Sequence, residues 1–332
     1  WSRRDHIDSL TESAGRAYCG GKYMNTTYSK ARIFVYRNAR PLDIARWQYH
    51  FEDGSKESVL TALAVYQNED GGFGHALEPD LWNPYSSPIT TASAVEILRE
   101  IGFYDLDHNI IKGILKFLAS GAFYTQKGWF QKISSNNDFP HAPWWGFSKE
   151  KEAGFNSEWE YNPTAVLVGF ILKTADKKSD IYKTGLRISI EAIKKIKKGG
   201  VIEEHEIGCY CRLLDCLVAA NISDKQLDIT EISQLLRTAI HNAIETDIDK
   251  WTGYVAKPSQ YFNTRDSIFY ADNKDIAEYE CEYIVKTQLD DGSWNIPWNW
   301  SDYIEEWVIS KNWWKSNCAI LNMLYLKGLG KL

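Results

Sequence analysis

The stretch that most constrains this chain is Gln67-Asn68-Glu69-Asp70-Gly71-Gly72-Phe73. Its pattern of Gln, two residues, Asp-Gly, one residue and an aromatic returns as Gln288-Leu289-Asp290-Asp291-Gly292-Ser293-Trp294. Each copy closes one segment with helical apolar spacing and leads into another. Glu57–Tyr66 precedes the first and Ser87–Ile101 follows it, while Ile276–Thr287 precedes the second and Trp313–Leu326 follows. The residue types suit a turn between stacked helices. Gly takes the positive φ that ends a helix, Asp accepts hydrogen bonds from the turn's amides, and the aromatic fills the seam between neighbouring helix pairs. Gln is long enough to bridge from its helix to the next loop. A turn that recurs in this setting marks a repeat protein.

Apolar residues at helical spacing recur along nearly the whole chain, and no alternating run is long enough to argue for a sheet. The pattern predicts helices over Tyr28–Asn38, Leu42–Phe51, Glu57–Tyr66, Ser87–Ile101, Asn109–Ser120, Pro163–Ala175, Ile181–Lys197, Glu206–Ala220, Thr230–Glu245, Asp275–Thr287 and Trp313–Leu326. Ser87-Pro88 and Asn162-Pro163 each place an N-cap residue before a proline, which tolerates the first helical position because its missing amide would be unpaired there. The sequence is therefore all-α. Trp1–Tyr23 is set aside as an N-terminal extension, and 24–332 is read as a single domain.

Composition narrows the function classes. With a net charge of -6 and scattered Lys and Arg, the chain offers no basic face for a phosphate backbone, so nucleic acid is not an expected partner. The one basic cluster, Lys194-Lys195-Ile196-Lys197-Lys198, reads as the solvated C-terminus of a helix. Six cysteines without framework spacing read as reduced thiols, which points to the cytoplasm. No apolar run approaches the roughly 20 residues a membrane-spanning helix needs.

The Q-x-x-D-G-x-F/W turns resemble the repeat of the squalene cyclases and protein prenyltransferases, and the resemblance extends over roughly residues 28–332. It implies an α/α toroid, with inner and outer rings of helices around a central cavity. The helices opened by Thr90-Thr91-Ala92-Ser93-Ala94 and Thr164-Ala165-Val166-Leu167-Val168-Gly169 are small and apolar, as are Cys209-Tyr210-Cys211 to Ala220 and Asn317-Cys318-Ala319. Small residues allow close packing, so these four are assigned to the inner ring, beginning near Ser87, Asn162, Gly208 and Ser316. If they run parallel, as in the toroid, the loops before them share one rim of the cavity.

The candidate chemistry lies in those loops. His75-Ala76-Leu77-Glu78-Pro79-Asp80 follows the first turn, and two carboxylates with a His within six positions could supply a general acid and its partner. The cyclases that the turns resemble protonate an alkene with an Asp-x-Asp-Asp acid. Here Glu78-Pro79-Asp80 stands at a broadly comparable place, with Asp80 as donor and Glu78 and His75 as its tuners. The plainer alternative is that Glu78 and Asp80 cap inner helices or pair with an Arg. The long, aromatic connections Gly128–Tyr161 and Trp251–Tyr270 hold Phe155 and Trp159 among their rings and are expected over the cavity mouth. His141 supplies a second candidate acid–base group, while Trp82, Trp144, Trp145, Tyr161 and Tyr261 are candidate ligand-binding rings. Filling of gaps between helix pairs would explain the same rings.

His205, Cys209, Cys211, Asp215 and Cys216 invite a zinc reading, and Cys209-Tyr210-Cys211 resembles a Cys-Tyr-Cys stretch of the prenyltransferase β subunits. The zinc-binding His of that stretch lies two residues upstream of its first Cys, where this chain has Ile207, so these are read as structural thiols with no metal. Asp-Asp-x-x-Asp magnesium sites are absent, and no cofactor is expected. The resulting expectation is a terpenoid-cyclase-like, isoprenoid-processing enzyme acting by protonation on an apolar or polycyclic small molecule. The alternatives are a carbohydrate-active α/α-barrel lyase or hydrolase, and a non-catalytic toroid that binds a lipid or peptide. A closed apolar chamber would favour isoprenoids, and an open cleft lined with Asn, Asp and Arg would favour sugars.

Overall fold

Side-chain caps set most helix starts in the computed structural model, which describes residues 26–148, 161–199 and 203–332. Trp1–Tyr23, Phe155 and Trp159 lie outside the described residues. The helices are α1 over 26–38, α2 (Pro41–Phe51), α3 (Lys56–Ala64), α4 (Pro88–Glu100), α5 (Asn109–Ala119), α6 (Thr164–Thr174), α7 (Asp180–Lys197), α8 (Glu204–Ala219), α9 (Ile229–Ala243), α10 (Lys274–Lys286) and α11 (Ile304–Gly328). Among the described residues, the only named strands are the two-residue antiparallel pair β1 (Tyr124–Thr125) and β2 (Gly128–Trp129). The all-α expectation holds, and among the described residues no helix is long and apolar enough to cross a membrane.

Ser87 Oγ accepts from Thr90 N ahead of Pro88, as the sequence predicts, and Ser55, Ser179 and Asp228 cap α3, α7 and α9 in the same way. Two starts differ from expectation. Asn162 does not cap α6, because Pro163 itself occupies the N-cap position without a side-chain bond. Helix α11 begins at Ile304, well before Trp313. Its first turns leave Ile304, Val308 and Ile309 exposed, so no single apolar face announces them.

Helix α6 is buried at almost every position and contacts α4, α7 and α8, while α8 packs on α9, and α7 on α5 and α9. At the other side of the chain α2 packs on α3 and α11, and α10 on α11. One hydrophobic core runs from Ala31 to Leu329, and a smaller cluster gathers around Trp300 and Trp307. The expected solvated basic cluster is partly tied down, since Lys195 pairs with buried Glu206 and Lys197 with Glu231.

The two repeat turns are built alike. Gln67 Nε2 donates to Gly71 O within its turn and to Ile110 O of α5; Gln288 Nε2 donates to Gly292 O and to Thr27 O of α1. Asp70 accepts from Gly72 N, and Asp291 from Ser293 N. Gly71 and Gly292 have φ of 94° and 93°, and a Cβ on either would stand 2.1 Å from a helix carbonyl, of Gly113 and Lys30 respectively. Each turn thus presses backbone against backbone on a different helix, which only glycine permits. Phe73 and Trp294 are both buried.

Trp129 N donates to Thr164 Oγ1 of α6, as Phe73 N donates to Thr91 Oγ1 of α4.

Candidate functional site

The loop between the first turn and α4 is held in a shape it would not take alone. His75 and Ala76 both have φ of 57°, a left-handed conformation that costs non-glycine residues of order 1–3 kcal/mol each. Arg40, at the start of α2, holds it: its Nη1 donates to Ala76 O at 2.9 Å and Leu77 O at 3.1 Å. The guanidinium is itself fixed by Asp43, which is fully buried between Arg40 and Arg46. His75 N donates to Asn83 O, and Asn83 Nδ2 bonds buried Asn136 in the short 3-10 helix Ser134–Asp138.

That clamp brings the aromatic connection against the carboxylates. Ala142 N donates to Asp80 O at 2.8 Å, Trp82 N donates to Pro140 O at 2.9 Å, and Leu81 and His141 form a β-bridge. Asp80 is 2% exposed, and Trp300 Nε1 donates to its Oδ1 at 2.9 Å. The indole N–H groups of Trp314 and Trp298 also face this carboxyl and lower its pKa, though neither nitrogen reaches hydrogen-bond geometry with a described partner. Trp82, Trp145 and Trp307 complete the tryptophan shell, with Trp82 donating to Ser310 Oγ at 2.8 Å and stacked on Trp313.

Electrostatics divides the two carboxyls. Burial pushes Glu78 up to about 8, helped by the neighbouring Asp80 charge, while Arg40 and the Ser93 hydroxyl pull the other way. Burial raises Asp80 to about 6, with the indole donors opposing the rise. Burial therefore leaves the pair holding a proton to a higher pH than free carboxyls would. Such a pair can give a proton from one member while the other stays charged.

The structure brings some predicted residues together and leaves others apart. Glu78, Asp80, His141, Trp82 and Trp145 belong to one region. His141 Nδ1 lies 2.7 Å from Phe139 O, and its ring is 5.6 Å from that of Tyr303. Trp144 is next in sequence but 39% exposed. His75 turns to solvent and bonds Asn68 Oδ1 of the repeat turn. Tyr161 sits in the main core against Tyr210, its amide bonded to Glu206. Tyr261 is likewise a core residue, with a buried hydroxyl that has no described partner.

Trp298, Trp300, Trp307, Trp314 and Arg40 were not singled out from sequence. The signal was there: six of the fourteen tryptophans fall between 294 and 314. Among the zinc candidates, His205 Nε2 lies 2.7 Å from Tyr254 OH and Cys211 is in the core. Among the described residues no group of three or more His, Cys, Asp or Glu has the arrangement of a metal site. No known protein-family model matches the chain, and no curated protein matches it either.

Proposed function

We propose that the protein is a proton-transferring, terpenoid-cyclase-like enzyme that acts on an apolar or polycyclic isoprenoid, with Glu78 and Asp80 as its acid–base pair. One observation carries this reading: two neighbouring carboxyls, Asp80 buried under the tryptophan shell and Glu78 half-buried beside it, both raised above the usual carboxylate range by desolvation. In this reading Glu78 gives its proton to the substrate, and the Asp80 carboxylate stabilises the resulting cation and accepts a proton from it, which recharges the pair. This reverses the roles expected from sequence. Tryptophan π faces around the pair would stabilise a cationic intermediate.

The scaffold in this proposal is an α/α toroid. Its support is cyclic contact between chain ends: the second repeat turn docks on α1, Arg46 of α2 bonds Asn317 of α11, and Lys327 donates to His50 O. In such a ring the turn after α10 meets α1 for the same reason that the turn after α3 meets α5.

A carbohydrate-active reading stands second. It is favoured by Glu96, Arg99 and Arg212, a partly exposed polar cluster shared by α4 and α8 in which Glu96 Oε1 has no described partner. Mass spectrometry of small molecules co-purifying with the full chain distinguishes the two, followed by turnover of the recovered molecule. The expected result is an isoprenoid whose conversion Glu78→Gln abolishes and Asp80→Asn slows. A bell-shaped kcat/KM profile with limbs near about 6 and about 8 should accompany it. Recovery of a sugar would establish the second reading, and turnover indifferent to both variants would overturn the acid–base assignment.

A further inference from the structure

The proton-transfer pair adjoins a cavity of about 240 Å³ between α10, α11 and the segment 251–260. Two residues belong to both places. Trp298 faces the Asp80 carboxyl and lines the cavity, and the ring of Tyr254, another wall residue, meets that of Trp298 edge-on at 5.6 Å. Burial, Glu203 and Glu204, and then the Asp80 and Glu78 charges push the Tyr254 hydroxyl up to about 12, so both carboxyls act on the cavity wall. Helix α11 runs from the one place to the other. Trp314, Cys318 and Asn322 share one of its faces: Trp314 faces Asp80, Cys318 packs against the tryptophan cluster and lines the cavity, and Asn322 lines it a turn further on. At 1.5 Å per residue, Asn322 stands about 12 Å beyond Trp314 along the helix.

The two charged side chains of the wall, Lys257 and Glu280, offset each other, and Glu280 also accepts from Ser259 Oγ at 2.6 Å and Ser259 N at 2.9 Å. A neutral occupant is therefore favoured over an anion or a cation. Asn322 offers it a polar contact. Its Nδ2 donates to Cys318 Sγ at 3.6 Å, and so weak an acceptor leaves the amide's second N–H and its carbonyl for a ligand. At the packing density of protein interiors, about 0.75, the cavity accommodates about 180 Å³ of molecule, or about ten carbon atoms. We propose, resting on the acid–base reading above, that this cavity is the substrate compartment of the pair and holds a neutral isoprenoid alcohol of about ten carbons, its hydroxyl on Asn322 and an alkene beside Glu78. That size selects an acyclic or monocyclic molecule over a polycyclic one.

The test is titration of the full chain with geraniol, its shorter and longer homologues prenol and farnesol, and the hydrocarbon myrcene, followed by tryptophan fluorescence and calorimetry. Geraniol should bind saturably and one-to-one, with prenol at least about tenfold weaker because it buries less apolar surface. Farnesol should bind no more tightly than geraniol, since its additional isoprene unit finds no wall to cover it. Asn322→Leu should weaken geraniol about fivefold, the worth of one hydrogen bond, and leave myrcene no weaker. Absence of saturable geraniol binding, affinity that keeps rising to farnesol, or an Asn322→Leu chain that binds geraniol as before overturns the proposal. Should Asn322→Leu fail to fold, the chain-length series on the unaltered chain decides it alone. Glu78→Gln separates this proposal from the reading beneath it. Turnover unaltered in that variant would sink the acid–base assignment and leave the geraniol affinities untouched, whereas Glu78-dependent turnover of the co-purified isoprenoid without geraniol binding would sink the compartment alone.

Discussion

At the scale of single residues the site depends on charges that are buried but paired. Arg46 is 4% exposed and bonds Glu100 Oε1 through Nε at 2.9 Å, Asp43 Oδ1 at 2.9 Å and Asn317 Oδ1 at 2.8 Å. Burial disfavours the Glu100 carboxylate, yet Arg46 and His50 outweigh that and hold it at about 2. Arg46→Met would leave these acceptors unmatched and should cost about 3–5 kcal/mol in denaturant unfolding. Glu78 behaves oppositely. It holds its proton to about pH 8 when folded but releases it near 4.5 when unfolded, so the native state binds more protons in between and stability falls as pH rises through that window. Glu78→Gln removes that slope. The variant's Tm should rise relative to the unaltered chain as buffers move from about pH 4.5 to about pH 8, and a constant difference would show that Glu78 is not buried in this way.

At the scale of elements, the repeat turns are the joints of the fold. The Asp and Gln of each turn satisfy its amides and carbonyls, and the glycine allows its backbone to rest on a neighbouring helix. Gly71→Ala and Gly292→Ala each add a side chain at positive φ against a carbonyl 2.1 Å away, so each should lose about 2 kcal/mol or more. Location separates them. Amide exchange should quicken in α5 for Gly71→Ala and in α1 for Gly292→Ala, because those are the helices on which the turns rest. Wild-type exchange in α1 after Gly292→Ala would mean that the second turn does not anchor it.

For the whole molecule, the consequence is that the two ends of the described chain stabilise each other. Ala31, Phe34 and Val35 of α1 are buried, and Thr27 and Lys30 receive the second turn. A chain lacking residues 26–38 would leave Gln288 and Gly292 without their support and expose apolar surface on α10 and α11. It should unfold with a lower and broader thermal transition than the full chain, seen by calorimetry. A deletion that keeps the original Tm would argue against any coupling between the ends.

Much of the fold was legible in the sequence because helices are local. Apolar spacing, Ser caps and the Gln-Asp-Gly-aromatic turns are short-range signals, and they placed helix boundaries close to those observed, with Pro163 and the start of α11 as the main departures. The sequence also drew attention to Glu78 and Asp80, two carboxylates with a His within six positions just after the first turn, and to His141 beside Trp144 and Trp145 in a long aromatic connection. What it could not contain was which partners meet them. Asp80 contacts Trp300 across 220 positions, and Arg46 meets Asn317 across 271. Such contacts leave no periodicity in the chain, so only tertiary packing decided them. The same holds for the raised proton affinity of the pair: it depends on burial and on which donors face each carboxyl, and those are properties of the assembled structure.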